Sequence, residues 1–568
     1  MTAREEHGAD AGGAVLAREV PGDGGRGRPD ARRGGLARPV RHRRLLVPVL
    51  VALLLAQMAA AMVTTAVRQT PTIDEPVYVA TATDYLREHR VRYNPEHPPL
   101  GKLLIAAGTA VADPRYDPAY TGTQGAVGRH LLYESGNDPW RLMWWARLPV
   151  IALTLLFGLV VFAFARDVAG PGGGLAGLAL YAFSPDVIAH GSLATLDVPA
   201  AGFVLTSVWL VWRARRRPRL CLPWSGVALG AAVATKMSAL PAVPVVLLLA
   251  VLSVRGAGRR GRLRRGAAAA AVVAVAAVAV VWATYLAVDP RLRFDPAEPV
   301  PAVHGLRGRI TDLLPLPPAY RAGMRVQFGF EDRHWQGFLF GHLYTGSRWY
   351  YLPAALLVKT PLGLLALGAA GAVLAVAVRR LRPVAPYLLL PPAVLLAAAM
   401  TGSRDLGTRY AVFVPVFLAV AGACVLTVRR HRTGVPVGLL VVLVATSSLR
   451  TFPYYLPYAN EAFGGPAHTH LLLHDSNVDW GQDLGRLADR LRRRYPGERV
   501  WLVYKGSGVP SYYGIDAGDP RRVAPDRVHG VLAVSDSAAA KARGRLAELI
   551  ASSRPVDDVG HSITLYRR

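Results

Sequence analysis

The chain has 568 residues, 52% of them hydrophobic, and a formal net charge of +28. So large an apolar share does not fit ordinary soluble cores, and it is gathered in runs near the length of a bilayer crossing, about 20 residues. The charge alone would suit a nucleic-acid binder. The arginines, however, stand in short clusters between apolar runs (Arg213–Arg219, Arg255–Arg265, Arg379–Arg382, Arg429–Arg432) without interleaved aromatics, which is the positive-inside pattern of a polytopic membrane protein.

In chain order, residues 1–43 are Gly- and Arg-rich with little periodicity and are expected to form a disordered cytoplasmic tail. The uncharged run Leu45–Ala66 follows as a retained first helix. Residues 67–145 are expected as a long outer loop. Further helices are expected over about 147–166, 172–189, 198–213, 223–237, 239–254 and 267–288. A second outer loop, 289–349, precedes helices over about 351–378, 384–400, 410–427 and 435–450. Eleven crossings would leave the N-terminus inside and the C-terminus outside. The fold class is therefore an all-α polytopic membrane protein, residues 44–450, followed by a small extracytoplasmic α/β domain over 451–568. Within that domain Leu484–Arg493 reads as a helix, and Val500–Tyr504, Val531–Val534 and Ile563–Tyr566 read as strands.

Some motifs carry little. Gly172 to Gly177 fits a dinucleotide-binding spacing, but it opens a membrane helix with no preceding strand, so close helix packing is the reading. His468, His470 and His474, beside Asp475, match no established ligand spacing and read as a solvated loop. Cys221 and Cys424 are not expected to pair.

The informative polar residues lie at the outer helix ends. Asp74 and Glu75 are adjacent carboxylates just after the first helix, where like charge and a low-dielectric slab make them costly. Asp74 also reads as an N-cap of a helix starting near Pro76, a role compatible with catalysis. The rigid turn Asn94–Lys102 offers His97 and Lys102, and Asp197 opens a helix on the same face. Lys236 is expected to snorkel to the interface, whereas Lys359 stands in apolar surroundings. Arg348, Arg404 and Arg409 run against the positive-inside bias, and arginine suits phosphate. An outer carboxylate as base, outer cations for a departing phosphate and a membrane-embedded wall suit sugar transfer from a polyprenyl-phosphate donor to a hydroxyl.

At these residues the chain resembles the bacterial branch of the protein O-mannosyltransferase and lipid A aminoarabinose transferase group, of the GT-C fold. The carrying stretches are Asp74-Glu75, His97 to Lys102, Leu193 to Asp197, Ala234 to Ser238, Trp349 to Tyr351 with Lys359 to Pro361, Arg409-Tyr410, and Asp475 to Asp483. The resemblance implies that Asp74 is the catalytic base, that Glu75 supports it and that Asp197 is a second acidic site residue. It implies substrate binding by His97, Lys102, Arg348, Lys359, Arg409 and Tyr410. It also implies an inverting transfer from a polyprenyl-phosphate sugar, without a nucleotide sugar, to a protein, lipid or glycan acceptor. Some GT-C enzymes use a divalent metal, and no other cofactor is expected. The alternative from another class is a transporter or flippase of lipid-linked sugars, which should show internal repeats and matched broken helices.

Overall fold

The computed structural model describes residues 39–254, 258–428 and 430–568; the side chains of 39–44 and 430–432 lie outside that description. The predicted tail, residues 1–43, falls almost wholly outside it, as do Arg255 and Arg429. The chain divides into a short unit, residues 1–46, and a large one, residues 47–568, which holds every contact and site described below.

Helix α1 (Pro39–Arg68) is the first apolar run. The region expected as a polar loop is instead built: α2 (Glu75–Arg87), α3 (Pro99–Ala112) and α4 (Gln124–Arg129) pack around a small apolar cluster that includes Tyr78, Ile105, Leu131 and Met143. Its charged residues lie outside that cluster, and the short apolar helices inside it were hidden by their length.

α5 (Pro139–Ala182) covers the helix expected at 147–166 and the first part of the one expected at 172–189. Gly170 breaks it, at φ 74° and immediately before Pro171. Only glycine adopts that conformation without penalty. Beyond the break, a methyl group on Gly177 would sit 3.2 Å from the Ala419 carbonyl and 2.8 Å from the Ala165 methyl. The glycine run thus serves close helix packing. α6 (Pro185–Gly191) is a short turn of helix at this end. α7 (Asp197–Ala214) leads away toward the first arginine cluster, and α8 (Pro218–Thr235) returns to Lys236. α9 (Ala242–Ser253) and α10 (Gly258–Val288) follow.

The second expected loop also has structure: α11 (Gly305–Leu313), α12 (Pro318–Glu331) and a hairpin of β1 (Gln336–Leu339) with β2 (His342–Thr345). The single helix expected over 351–378 is two, α13 (Tyr351–Lys359) and α14 (Leu362–Ala377), bent by 119°. Pro361 explains the break. It lacks an N–H, and it holds Thr360 in an extended conformation, φ −97° and ψ 132°. α15 (Ala385–Met400), α16 (Phe413–Gly422) and α17 (Arg430–Thr451) complete the membrane region.

Among the described residues, four helices are long and apolar enough to cross a bilayer alone, and five if the bent pair counts as one span, against eleven crossings expected. Prolines and tight turns cut the remaining apolar runs into helices shorter than a full crossing. The chain is a multi-pass, mostly helical membrane protein.

After the short α18 (Thr469–Leu472) comes α19 (Leu484–Arg494), then a sheet ordered β3-β4-β6-β5, with β3 (Val500–Val503), β4 (Val531–Ser535), β5 (Arg554–Val559) and β6 (Ile563–Arg567). β3 and β4 are parallel and the other pairs antiparallel. Alternating side chains cover both faces. Leu484, Leu487 and Leu491 of α19 pack with Leu502, Ala533 and Leu565. On the other face α21 (Arg545–Ala551), which follows the one-turn α20 (Asp536–Ala539), packs Leu546 and Leu549 on Trp501, Leu532 and Val534. The strand missed in the sequence, β5, is a charged edge strand without an apolar period.

Candidate active site

Asp74 occupies the N-cap position of α2, but its side chain makes no capping bond. The carboxylate turns away from the helix, and its Oδ2 accepts from Arg409 Nη1 at 2.6 Å. It stays 26% exposed while Arg409 is 9% exposed. Arg409 stands in the loop before α16. Its guanidinium lies 4.4 Å from the Trp480 ring and 4.9 Å from the Tyr410 ring, and its Nε has no hydrogen-bond partner among the described residues. A cation held against two aromatic faces with a spare donor is prepared for a second anion.

The neighbouring pair repeats this arrangement. Asp197, the first residue of α7, is ion-paired with Lys236 just past the end of α8. Both side chains are buried, so Lys236 does not snorkel as expected. Its ammonium lies 5.2 Å from the Tyr410 ring. Asp197, Lys236, Arg409 and Tyr410 line one small pocket together with Leu395 and Phe413. Arg404, paired with Glu331, also lies 5.8 Å from this ring, so Tyr410 contacts three cations, each with its own carboxylate.

Glu75 has a different environment from Asp74. It is fully buried, and Arg147 of α5 holds it in a two-pronged pair, Nε to Oε1 at 2.7 Å and Nη2 to Oε2 at 2.6 Å. Thr72 N, at 2.9 Å, and Ala194 N, at 2.8 Å, also donate to it. Arg147 gives its other protons to the carbonyls of Ala66, Gln69 and Thr70. Both carboxylate oxygens are occupied, so Glu75 ties the α1–α2 link to α5 and to the segment before α7. Arg147, which the sequence reading missed, was visible only as a lone arginine inside an apolar run.

The remaining predicted residues separate. Lys102 is buried and donates to Asn94 O at 2.7 Å and His97 O at 2.6 Å, so it staples its own turn. That turn brings His97 within 5.8 Å of the Tyr78 ring, edge-on, with Nδ1 unpartnered among the described residues. Burial, together with Lys236, Lys102, Arg404 and Arg409, pushes the His97 imidazole well below its usual range, so it is a neutral donor or acceptor. Lys359 is buried too. It donates to Leu456 O at 2.5 Å and Asn477 O at 2.8 Å, with Asp186 at 3.6 Å. Arg348 is exposed and lies over Tyr344, apart from this group.

The 475–483 segment binds the parts together. Asn477 accepts from Thr408 N at 3.0 Å, one residue before Arg409. Trp480 O and Gln482 O accept from Ile73 N and Thr70 N, both at 3.0 Å, just before Asp74. Asp475 is ion-paired with Lys505, just after β3, and Asp479 accepts from Ser537 N at 3.3 Å. Among the described residues no three His, Cys, Asp or Glu side chains gather as metal ligands. Asp74, Glu75 and Asp197 each face a cation instead, a donor set that does not suit a resident metal ion.

Residues 51–290 match the family described as dolichyl-phosphate-mannose-protein mannosyltransferase. No curated protein matches the chain. Among solved structures it is similar to ArnT from Cupriavidus metallidurans in the apo state, at 15% identity over 93% of this chain and 98% of that one, TM-score 0.44. It is similar to the protein O-mannosyltransferase Pmt1–Pmt2 complex of S. cerevisiae bound to the sugar donor, at 18% identity over 43% and 33%, TM-score 0.32. An Archaeoglobus fulgidus oligosaccharyltransferase is similar at 14% identity over 81% and 56%, TM-score 0.43. The family match covers α1 to α10, with Asp74, Glu75, His97, Lys102, Asp197 and Lys236 inside it, and agrees with the glycosyltransferase resemblance read from the motifs.

Proposed function

We propose that this chain is a membrane glycosyltransferase that moves a single sugar, mannose-like or another hexose or pentose, from a polyprenyl-phosphate donor to a hydroxyl of a protein, lipid or glycan acceptor. The observation that carries the proposal is the Asp74–Arg409 pair: a partly exposed carboxylate, free of its capping duty, beside a cation with donors to spare. Asp74 takes the proton from the acceptor hydroxyl. The acceptor oxygen attacks the anomeric carbon from the face opposite the phosphate. The bond from that carbon to the phosphate oxygen breaks, and its electron pair leaves with the polyprenyl phosphate, inverting the centre. Arg409 neutralises the departing phosphate, and Lys236 adds positive charge next to it. Phosphate needs no general acid to leave.

Asp197 fixes Lys236, while Glu75 and Lys102 act as positioning residues for the chain around Asp74 and His97. The reaction face is the outer one: the N-terminus is cytoplasmic, the membrane region is 44–450 and the domain 451–568 is extracytoplasmic. The arginine clusters at the far end of α7 and in the first turns of α10 support that orientation.

The test is transfer by purified protein supplied with a polyprenyl-phosphate sugar and a panel of hydroxyl acceptors. Asp74→Asn should lower turnover by about 10²–10⁴-fold with normal folding. Wild-type turnover by that variant would overturn the assignment of the base. A wild type that moves the intact donor across vesicles without cleaving it would point to a flippase.

A further inference from the structure

A second cavity, of about 790 Å³, lies where the C-terminal domain meets the ends of the membrane helices, and Asp74, Arg409 and Trp480 do not line it. One wall is the last residue of α1, Arg68, and the start of α5, Trp140. The opposite wall is the face of α19 that carries Arg486, Arg490 and Arg493. Tyr512 and Tyr513 close the side. Tyr513 stands edge-on to Trp140 at 5.9 Å, and its hydroxyl is 3.0 Å from that of Tyr133.

The walls are held in place independently of any ligand. Gly485 packs so closely on Trp140 that an added methyl would meet the ring at 3.1 Å. Arg490 is anchored by Asp557 at 2.5 Å, and Arg486 is paired with Asp483 and lies 4.8 Å over the Tyr454 ring. The lining contains five arginines and one acid, Asp489. Arg493 donates from Nε to the Asp489 carbonyl at 3.2 Å, while its Nη2 stands 3.9 Å from the Asp489 carboxylate and the side chain is 77% exposed. A cavity of this size suits a small polar ligand rather than a protein segment. Arginine forks select phosphate oxygens, and exposed tryptophan and tyrosine faces suit the glycerol or sugar carbons beside them.

We propose that this cavity is a binding site for the phosphate-bearing headgroup of an anionic lipid. Its position explains why. Arg68 ends a membrane-crossing helix, next to the exposed Val67, so the mouth lies at the bilayer surface within reach of lipid headgroups. Both walls continue along the chain into the other site. Arg68 is six residues before Asp74, a span of at most about 20 Å, and Arg486 follows Trp480 on the segment hydrogen-bonded to Thr70 and Ile73. A bound headgroup would bridge α1, α5 and α19 and hold the C-terminal domain on the membrane ends beside Asp74.

The experiment is titration calorimetry of the full chain in neutral detergent. The probes are short-chain phosphatidylglycerol, short-chain phosphatidylcholine and glycerol phosphate. Phosphatidylglycerol should bind at least about ten-fold more tightly than phosphatidylcholine, with affinity falling as salt rises. Arg68→Gln with Arg493→Gln should remove that preference. Arg522→Gln, an exposed arginine elsewhere on the domain, should leave it intact, and so should Asp74→Asn, because binding does not depend on transfer. Glycerol phosphate binding as tightly as the lipid would uphold the phosphate site and assign it to a soluble ester. Equal binding of the two lipids, or an unchanged preference in the double variant, would overturn the proposal.

Discussion

Glu75 and Arg147 offer the sharpest separation of positioning from chemistry. Each side chain is 1% exposed or less, and the two are joined by two charge-assisted hydrogen bonds of 2.6 and 2.7 Å. Removing one partner leaves a buried charge without its counterpart, which costs about 3–5 kcal/mol. Glu75→Gln and Arg147→Gln should therefore each destabilise the chain by that amount. In the double variant no charge remains. The new amide oxygen at position 75 can still accept from Ala194 N, and the new amide nitrogen at position 147 can still donate to the Ala66 or Gln69 carbonyl. The double should lose no more than the worse single, so the coupling energy in the cycle is about 3 kcal/mol. The assay is denaturant unfolding in one detergent, with transfer rates measured on the same samples. If Glu75 only positions Asp74, the double variant recovers activity to within about ten-fold of wild type, because 10-fold is about 1.4 kcal/mol of residual misplacement. Stability that returns while turnover stays as low as in Asp74→Asn would refute the positioning role. Strict additivity of the two singles would refute the pairing.

Arg409→Lys should bind donor less tightly and turn over more slowly than wild type, with Arg409→Gln worse than both, because only a guanidinium can serve Asp74 and the phosphate at once; KM and kcat measured separately check this. Burial pushes Asp479 and Asp536 each up to about 7. Their folded values lie above the unfolded ones, so they favour the fold at acid pH, and that contribution is lost as pH rises through about 7. The thermal unfolding temperature of the wild type should fall from pH 5 to pH 8, and Asp536→Asn should flatten that slope. Asp475 has the opposite sign. Burial raises Asp475, but the Lys505 ammonium, with His474 and Arg409, more than offsets it and holds Asp475 at about 2, so its contribution is present above about pH 4 and is lost as pH falls toward 2. Lys505→Met should remove that acid sensitivity. A methyl group at Gly371 would lie 1.9 Å from the Ala421 carbonyl, so Gly371→Ala should force α14 and α16 apart and lower the unfolding temperature.

The sequence is legible where apolar length and arginine placement decide the outcome. Leu45–Ala66, the break at Gly170-Pro171, and the helix and three of the strands of the C-terminal domain all follow from period and turn chemistry. It is less legible where folding depends on partners far along the chain. The loops at 67–145 and 289–349 look polar because their helices are short and separated by charged turns. The bend at Thr360–Pro361 interrupts an otherwise apolar run only at Lys359, Thr360 and Pro361, too briefly to separate two helices by hydropathy alone. The lysines show the same limit. Lys236 reads as a snorkelling cation and Lys359 as one in apolar surroundings, yet both are buried, one paired with a carboxylate 39 residues away and the other with carbonyls about 100 residues away. Nothing local identifies these partners.

The adjacent acids carry this lesson into the mechanism. Read as a dipeptide, Asp74-Glu75 suggests two carboxylates sharing one site and repelling each other. At the start of a helix, successive side chains diverge by about 100°. Asp74 therefore faces Arg409, 335 residues later, and Glu75 faces Arg147 in a different direction. Each charge is balanced by its own arginine, so the repulsion that made the pair look costly is not what governs it. The asymmetry comes from burial instead. The fully buried carboxylate has every oxygen occupied and holds the backbone still, which leaves the partly exposed one, beside a half-committed arginine, as the group with capacity for chemistry.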